Sequence, residues 1–183
     1  MPGSRERSTS RRWPADLSGC SMTTLAIDPG NTLSAFVLIG DNLDPIQFQK
    51  LPNAELLLAL RTKPLGGIYH TFAIEMVASY GMSVGADVFE TCVWTGRFAE
   101  AIAHRTGQEP LLVKRLPVKL HHCHDTKAKD TNIRQALVDR FAPGQPNHGK
   151  GTKAAPGWFH GFHRDIWAAY ALAVYVADLD GAA

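Results

Sequence analysis

The chain reads as an α/β domain with a mixed five-stranded sheet flanked by helices. Two observations carry that reading. Three short apolar or alternating segments follow one another near residue 24 with tight turns between them, and two further apolar strands then alternate with helical stretches. Hairpin-like strands followed by helix, strand, helix, strand and helix form the pattern of a mixed sheet covered by helices. At 183 residues, 45% of them hydrophobic, the chain can bury one substantial core.

Residues 1–22 are polar, rich in Arg and Ser and without periodicity. They read as a disordered arm, either touching DNA or lying upstream of the true start, since nothing in them builds a core. The folded domain is expected over 23–183. "TLAID" (24–28) and "LSAFVLIG" (33–40) are apolar strands separated by the turn "DPGNT", and "PIQFQKL" (45–51) alternates as a third strand. "NAELLLALRT" (53–62) is a helix with Asn53 as its cap. "YHTFAIEMV" (69–77) is a buried strand. A long helix over 85–107 brings Val88, Cys92 and Ala101 near helical spacing and stops at Gly107. "EPLLVKRL" (109–116) is a fifth strand. A helix capped by Asp130 covers 130–142, a Gly-rich loop covers 145–157, and a last helix covers 164–179.

Charge and cysteine usage narrow the classes of function. The net charge is only +2, yet residues 114–153 carry nine Lys/Arg against three Asp. The first 22 residues are at +2, so the remainder is acidic. Such a division suits a nuclease, with carboxylates for metal and cations for phosphate. A basic run is also compatible with a solvated face. No apolar run reaches the roughly 18 residues a membrane helix needs. Three cysteines, Cys20, Cys92 and Cys123, form no C-x-x-C pair, which argues against a disulfide framework and suits a reducing cytoplasm.

Three acids stand where a buried element ends, is interrupted or begins. Asp28 closes the first strand, Glu75 interrupts "FAI-E-MV", and Asp165 opens the last helix. Each alone has an ordinary explanation: a turn residue, a strand-end ion pair, a helix cap. Together they converge if the first strand and the 69–77 strand lie side by side and the final helix packs across them. Such a cluster repels itself and becomes favourable with divalent cations. Oxygen donors select Mg²⁺ or Mn²⁺ over Zn²⁺. Two such ions can assist phosphodiester hydrolysis. In this reading Asp28, Glu75 and Asp165 are the metal ligands, and Gly30 allows close backbone approach.

"AIDPGNT", "AIEMV" and "DIWAAYALAV", in this order and spacing, resemble the RuvC-type Holliday-junction resolvases of the ribonuclease H-like superfamily. "VGADVFETCVWTGRF", "AKDTNIRQAL" and "GKGTKAAPG" look like its phage-borne branch, and the likeness spans 23 to about 178. The resemblance implies a ribonuclease H-like fold and a homodimeric, Mg²⁺-dependent endonuclease that nicks four-way junctions. It also implies a bacterial or phage-infected cytoplasm. Asp28, Glu75 and Asp165 match the family's acids. The family usually opens its last helix with Asp-x-x-Asp or His-x-x-Asp. Here the run is "HGFHRDIWAAYALA". Aligning "YALA" with the family's "DALA" puts Tyr170 in an acid's place, and the x-x spacing from Asp165 falls on Phe162. His163 is therefore taken as the auxiliary ligand or proton carrier.

Lys114, Arg115, Lys119, Lys127, Lys129, Lys150 and Lys153 are the expected phosphate contacts. "LHHCHD" (120–125) lacks the second spaced pair of a structural zinc site. Trp94 and Trp167 read as core or interface, whereas Trp158 is as plausible a base-stacking platform. Three rivals remain: an actin-like kinase or ATPase suggested by "DPGNT", a DNA-binding module without catalysis, and an RNA–DNA hybrid nuclease.

Overall fold

The computed structural model of the chain describes residues 23–62, 71–78 and 85–181. The expected arm at 1–22 lies outside the described residues, as do 69–70 of the expected fourth strand. The strands are β1 (Thr24–Asp28), β2 (Leu33–Ile39), β3 (Pro45–Pro52), β4 (Thr71–Met76) and β5 (Leu111–Lys114). The helices are α1 (Asn53–Thr62), α2 (Ala86–Thr106), α3 (Arg115–Cys123), α4 (Asp130–Phe141) and α5 (Arg164–Gly181).

The five strands form one mixed sheet in the order β3-β2-β1-β4-β5. β1, β2 and β3 make the expected antiparallel meander, while β4 runs parallel to β1 and β5 parallel to β4. The period of two in each strand divides the core between the two faces of the sheet. Leu25, Ile27, Phe36, Leu38, Phe72 and Ile74 pack against Leu56, Leu60, Phe98 and Ile102 of α1 and α2. Ala26, Ala35, Val37, Ile39 and Ala73 pack against α5 and α4, with Ile166, Ala169, Ala173 and Leu137. The small residues on this second face let α5 sit close to β1 and β2.

Two expectations about local structure are corrected. The fifth strand stops at Lys114, and 115–123 form α3. Pro117 lies in the first turn of that helix, where the backbone N–H has no intrahelical partner to lose, so the proline is tolerated there. Asp130 is not the cap of α4. Lys129 occupies the cap position, its N–H donates to Asn132 Oδ1 at 2.9 Å, and the Asp130 carboxylate is turned to Arg115 instead.

Asn53 also departs from a simple cap. Its side chain accepts from Ser34 Oγ at 2.6 Å and donates to the Gly30 carbonyl at 2.9 Å. These bonds, with Gly30 N–H donating to Ser34 Oγ at 3.2 Å, fasten the turn that follows Asp28. A Cβ on Gly30 would collide with the Leu33 carbonyl oxygen, so the close approach here is between the chain's own backbone segments.

An aromatic cluster joins α5 to the 142–163 segment. Phe162 is fully buried and meets Phe48 edge-on at 4.7 Å, Trp167 at 5.1 Å and Tyr170 at 5.4 Å. Trp158 stacks on Phe141 and donates Nε1–H to the Tyr170 hydroxyl at 3.0 Å, so it is committed to the fold rather than offered to a base. The same hydroxyl donates to the Leu43 carbonyl at 2.9 Å, at a residue held in the left-handed region (φ 63°). Tyr170→Phe is expected to strand both partners and cost about 1–3 kcal/mol. The melting temperature should then fall by roughly 2–10 °C in a thermal melt. An unchanged melting temperature would show that water replaces the hydroxyl at no cost. Among the described residues, no helix is long and apolar enough to cross a membrane.

Candidate metal centre and phosphate-binding cavity

The sheet registers bring a short charged row to the face that α5 covers. Asp28 pairs with Ala35, and Ala35 pairs with Lys50 across β2 and β3. On the other side Ile27 pairs with Ile74, which sets Glu75 beside Asp28, and Glu75 pairs with Val113. The alternation that points Ala26 and Ala73 at α5 also points Asp28 and Glu75 there. Asp165, in the first turn of α5, comes over this row. Asp28, Glu75 and Asp165 thus line one cavity of about 1290 Å³, together with Lys50, Arg115, Asp130, Arg134, Lys150, His163 and Arg164.

Electrostatics within the row are uneven. Asp28 is pushed up to about 8, first by burial and then by the neighbouring Glu75 charge. No Lys or Arg makes a salt bridge to it among the described residues. Glu75 is also raised: burial acts more strongly than the opposing charge and hydrogen bond of Arg115. Arg115 Nη1 donates to Glu75 Oε2 at 3.0 Å, and Nη2 donates to Asp130 Oδ1 at 2.7 Å. Burial alone would lower the Arg115 value, but Glu75 and Asp130 raise it, so the guanidinium stays charged. Lys50 Nζ forms an ion pair with Asp165 Oδ2.

As the side chains lie, no three His, Cys, Asp or Glu among the described residues stand together as a ready metal-binding group. Arg115 and Lys50 hold the two outer acids. The donor set itself fits a hard divalent cation. It is all oxygen, and its central carboxylate is desolvated beside a second one with no cation of its own. Asp28, Glu75 and Asp165 are the residues that would hold Mg²⁺ or Mn²⁺, with His163 at the edge of the same cavity.

The structure divides the expected phosphate contacts. Arg115 and Lys150 line the cavity; Lys114, Lys119, Lys127, Lys129 and Lys153 do not. Arg115 is also paired with two carboxylates, Glu75 and Asp130. Lys150 belongs to a tight hairpin: Gly151 bridges Pro156, and Thr152 N–H donates to the Ala155 carbonyl at 2.9 Å. Gly151 has φ 64°, and a Cβ there would strike the Ala155 carbonyl. Lys153 is exposed at the hairpin's tip.

Lys50, Arg134 and Arg164, which also line the cavity, were not singled out in the sequence, and Asp130 was read only as a helix cap. Arg134 lies over the Trp167 ring at 5.1 Å, and its Nε is buried with no hydrogen-bond partner among the described residues. Tyr170 is fully buried and bonded to Trp158 and Leu43, so it is no substitute for a carboxylate. The fourth acid reaching the cavity is Asp130, at the start of "DTNIRQAL". His121 Nε2 meets Asp178 Oδ2 at 2.7 Å and His122 Nε2 meets the Ala171 carbonyl at 2.9 Å, which accounts for two of the histidines in "LHHCHD" without a metal.

Solved structures share this fold, among them two of RuvC. The RuvC structure from Thermus thermophilus aligns with a TM-score of 0.56 at 16% identity, over 87% of this chain and 97% of that one. T. thermophilus RuvC in complex with a Holliday junction substrate aligns with a TM-score of 0.55 at 16% identity, over 87% of this chain and 94% of that one. At this identity the likeness is one of fold: the mixed five-stranded sheet flanked by helices is the RuvC, ribonuclease H-like arrangement. No family model and no curated protein matches the chain by sequence.

Proposed function

We propose that this chain is a Mg²⁺- or Mn²⁺-dependent endonuclease that nicks branched DNA, four-way junctions above all. The observation that carries the reading is the convergence of Asp28, Glu75 and Asp165, from β1, β4 and α5, on one cavity that is also lined with Lys and Arg. The fold shared with a RuvC solved on a Holliday junction supports the choice of substrate, as do the sequence motifs at 26–32, 73–77 and 165–174. Divalent ions held by the three acids would supply Lewis-acid stabilisation of the attacking and leaving oxygens in phosphodiester hydrolysis. The chain's own residues do the rest. Arg134, lying over the Trp167 ring and not salt-bridged to an acid among the described residues, offers its guanidinium to a phosphate. Lys150 and Arg164 add charge on the same cavity wall. Arg115 holds Glu75 in place from the start of α3. His163, exposed at the cavity, is suited to carry a proton to or from solvent. The nearness to the phage-borne branch and a cytoplasmic site of action rest on the sequence motifs alone.

The test is a gel of labelled four-way, flap and RNA–DNA hybrid substrates with Mg²⁺. Paired, symmetric nicks in the four-way junction are expected. Cutting of the hybrid alone would make the chain a hybrid nuclease, and ATP binding without any cutting would favour the kinase alternative.

Symmetric nicking calls for two sites related by a two-fold axis, so we infer a homodimer. Phe89 and Val93 of α2, each 62% exposed, are two apolar side chains available for it. Sedimentation should show a dimer at micromolar concentration; a monomer that resolves junctions fully would contradict this. For the flanking cations, Lys127→Ala with Lys129→Ala should flatten the slope of log K against log salt by roughly two units. That is measured as junction binding in Ca²⁺. An unchanged slope would make this segment a solvated face.

A further inference from the structure

We propose that Lys50 competes with the divalent ion for Asp165, so that loading the site means displacing this lysine. The inference rests on the metal reading above and adds a residue that the motifs do not contain. Its first support is register. The Asp28–Ala35–Lys50 row aims Lys50 along the same sheet face as the acids, and the small Ala35 side chain between them leaves the path open. The second support is pairing: Lys50 Nζ is bound to Asp165, and Asp165 is its only salt-bridge partner among the described residues. A carboxylate facing an ammonium in this way is not available to a metal, which agrees with the lack of a ready three-ligand group.

The contrast with Arg115 indicates which cation moves. The Arg115 side chain is 19% exposed and is gripped by Glu75 and Asp130 at once, starting from a backbone position fixed by β5 and α3. Lys50 is 41% exposed, makes a single ion pair, and reaches it through a flexible four-carbon stem. Arg115 therefore stays as the permanent counter-charge of Glu75. Lys50 holds Asp165 only while no stronger cation is present. Once displaced it remains beside Lys150 and Arg164 on the cavity wall, where a phosphate can take it up.

The experiment is a Mn²⁺ titration of the full chain without DNA, read by the electron paramagnetic resonance of unbound Mn²⁺. Wild type is compared with Lys50→Met, Lys50→Arg and Lys150→Met. Lys50→Met should bind Mn²⁺ roughly fivefold more tightly or better, since the competing ion pair is gone. Lys50→Arg keeps the charge and should stay within about twofold of wild type. Lys150→Met removes a cation from the same cavity that makes no ion pair with these acids, and should have much the smaller effect. Unchanged or weaker binding by Lys50→Met overturns the proposal, as does equal tightening by Lys150→Met. Wild type that binds no Mn²⁺ at all would instead overturn the metal reading on which the proposal stands.

Discussion

Asp28→Asn is expected to reduce junction cleavage at least about 10³-fold, because a metal ligand contributing several kcal/mol of transition-state stabilisation is lost. The folded protein should nevertheless become more stable. Burial and Glu75 push Asp28 up to about 8 from an ordinary 3.8, so the folded state holds that proton more tightly than the unfolded chain does. The stabilisation this gives is complete below about pH 4 and is lost as pH rises to about 8. At neutral pH the folded chain must take up a proton at Asp28 that the unfolded chain lacks, and above about pH 8 it must bury the charge instead; with no metal bound this opposes folding by on the order of a few kcal/mol. Asparagine carries no charge at any pH. The melting temperatures of wild type and Asp28→Asn should therefore coincide near pH 4. The variant's should lie above by roughly 5–10 °C near pH 8. Adding Mg²⁺ should raise the wild-type value and leave the variant's nearly unchanged. Equal pH profiles would show that Asp28 is not the strained acid of the cluster. Undiminished cleavage would remove it from the site.

Phe162→Ala has the largest expected effect on stability. The ring is fully buried among Phe48, Phe159, Trp167 and Tyr170 and forms part of the cavity wall. Truncating it should cost about 3–5 kcal/mol through lost transfer energy and the void left behind. That corresponds to a melting temperature lower by roughly 6–20 °C. The ring also fixes the chain three residues before Asp165, so the start of α5 loosens with it. Cleavage assayed at 20 °C, below the unfolding transition, should fall by about a hundredfold, the scale of a misplacement near 1 Å. A destabilised variant that cuts at the wild-type rate would show that Asp165 is held by α5 alone.

The strands and most helices were legible because each obeys one period. The meander followed from two turns, and the last helix from an apolar run that, as α5, buries Ile166, Ala169, Tyr170, Ala173 and Val174. The convergence of the three acids was legible as well, since it needs only that β1 and β4 be neighbours. What stayed hidden depends on register and on long side chains. Lys50 looked like the polar phase of an alternating strand, and only the pairing of Asp28, Ala35 and Lys50 puts it in the site. Arg115 sat in a basic run that suggested phosphate, but β5 ends one residue earlier and the turn into α3 points it at Glu75 and Asp130. The nine residues of α3 were not read as a helix; Pro117 stands in its first turn, a position where proline is compatible with a helix. Asp130 was read as a cap by its residue type, while the preceding Lys129 took that position and Arg115 claimed the carboxylate.

The most direct test of the central claim is a crystal of the protein grown with Mn²⁺, examined for anomalous scattering. The account predicts a strong peak among the carboxylates of Asp28, Glu75 and Asp165, with Lys50 Nζ withdrawn from Asp165 and Arg115 still on Glu75. A peak elsewhere, with Lys50 still paired to Asp165, would contradict it.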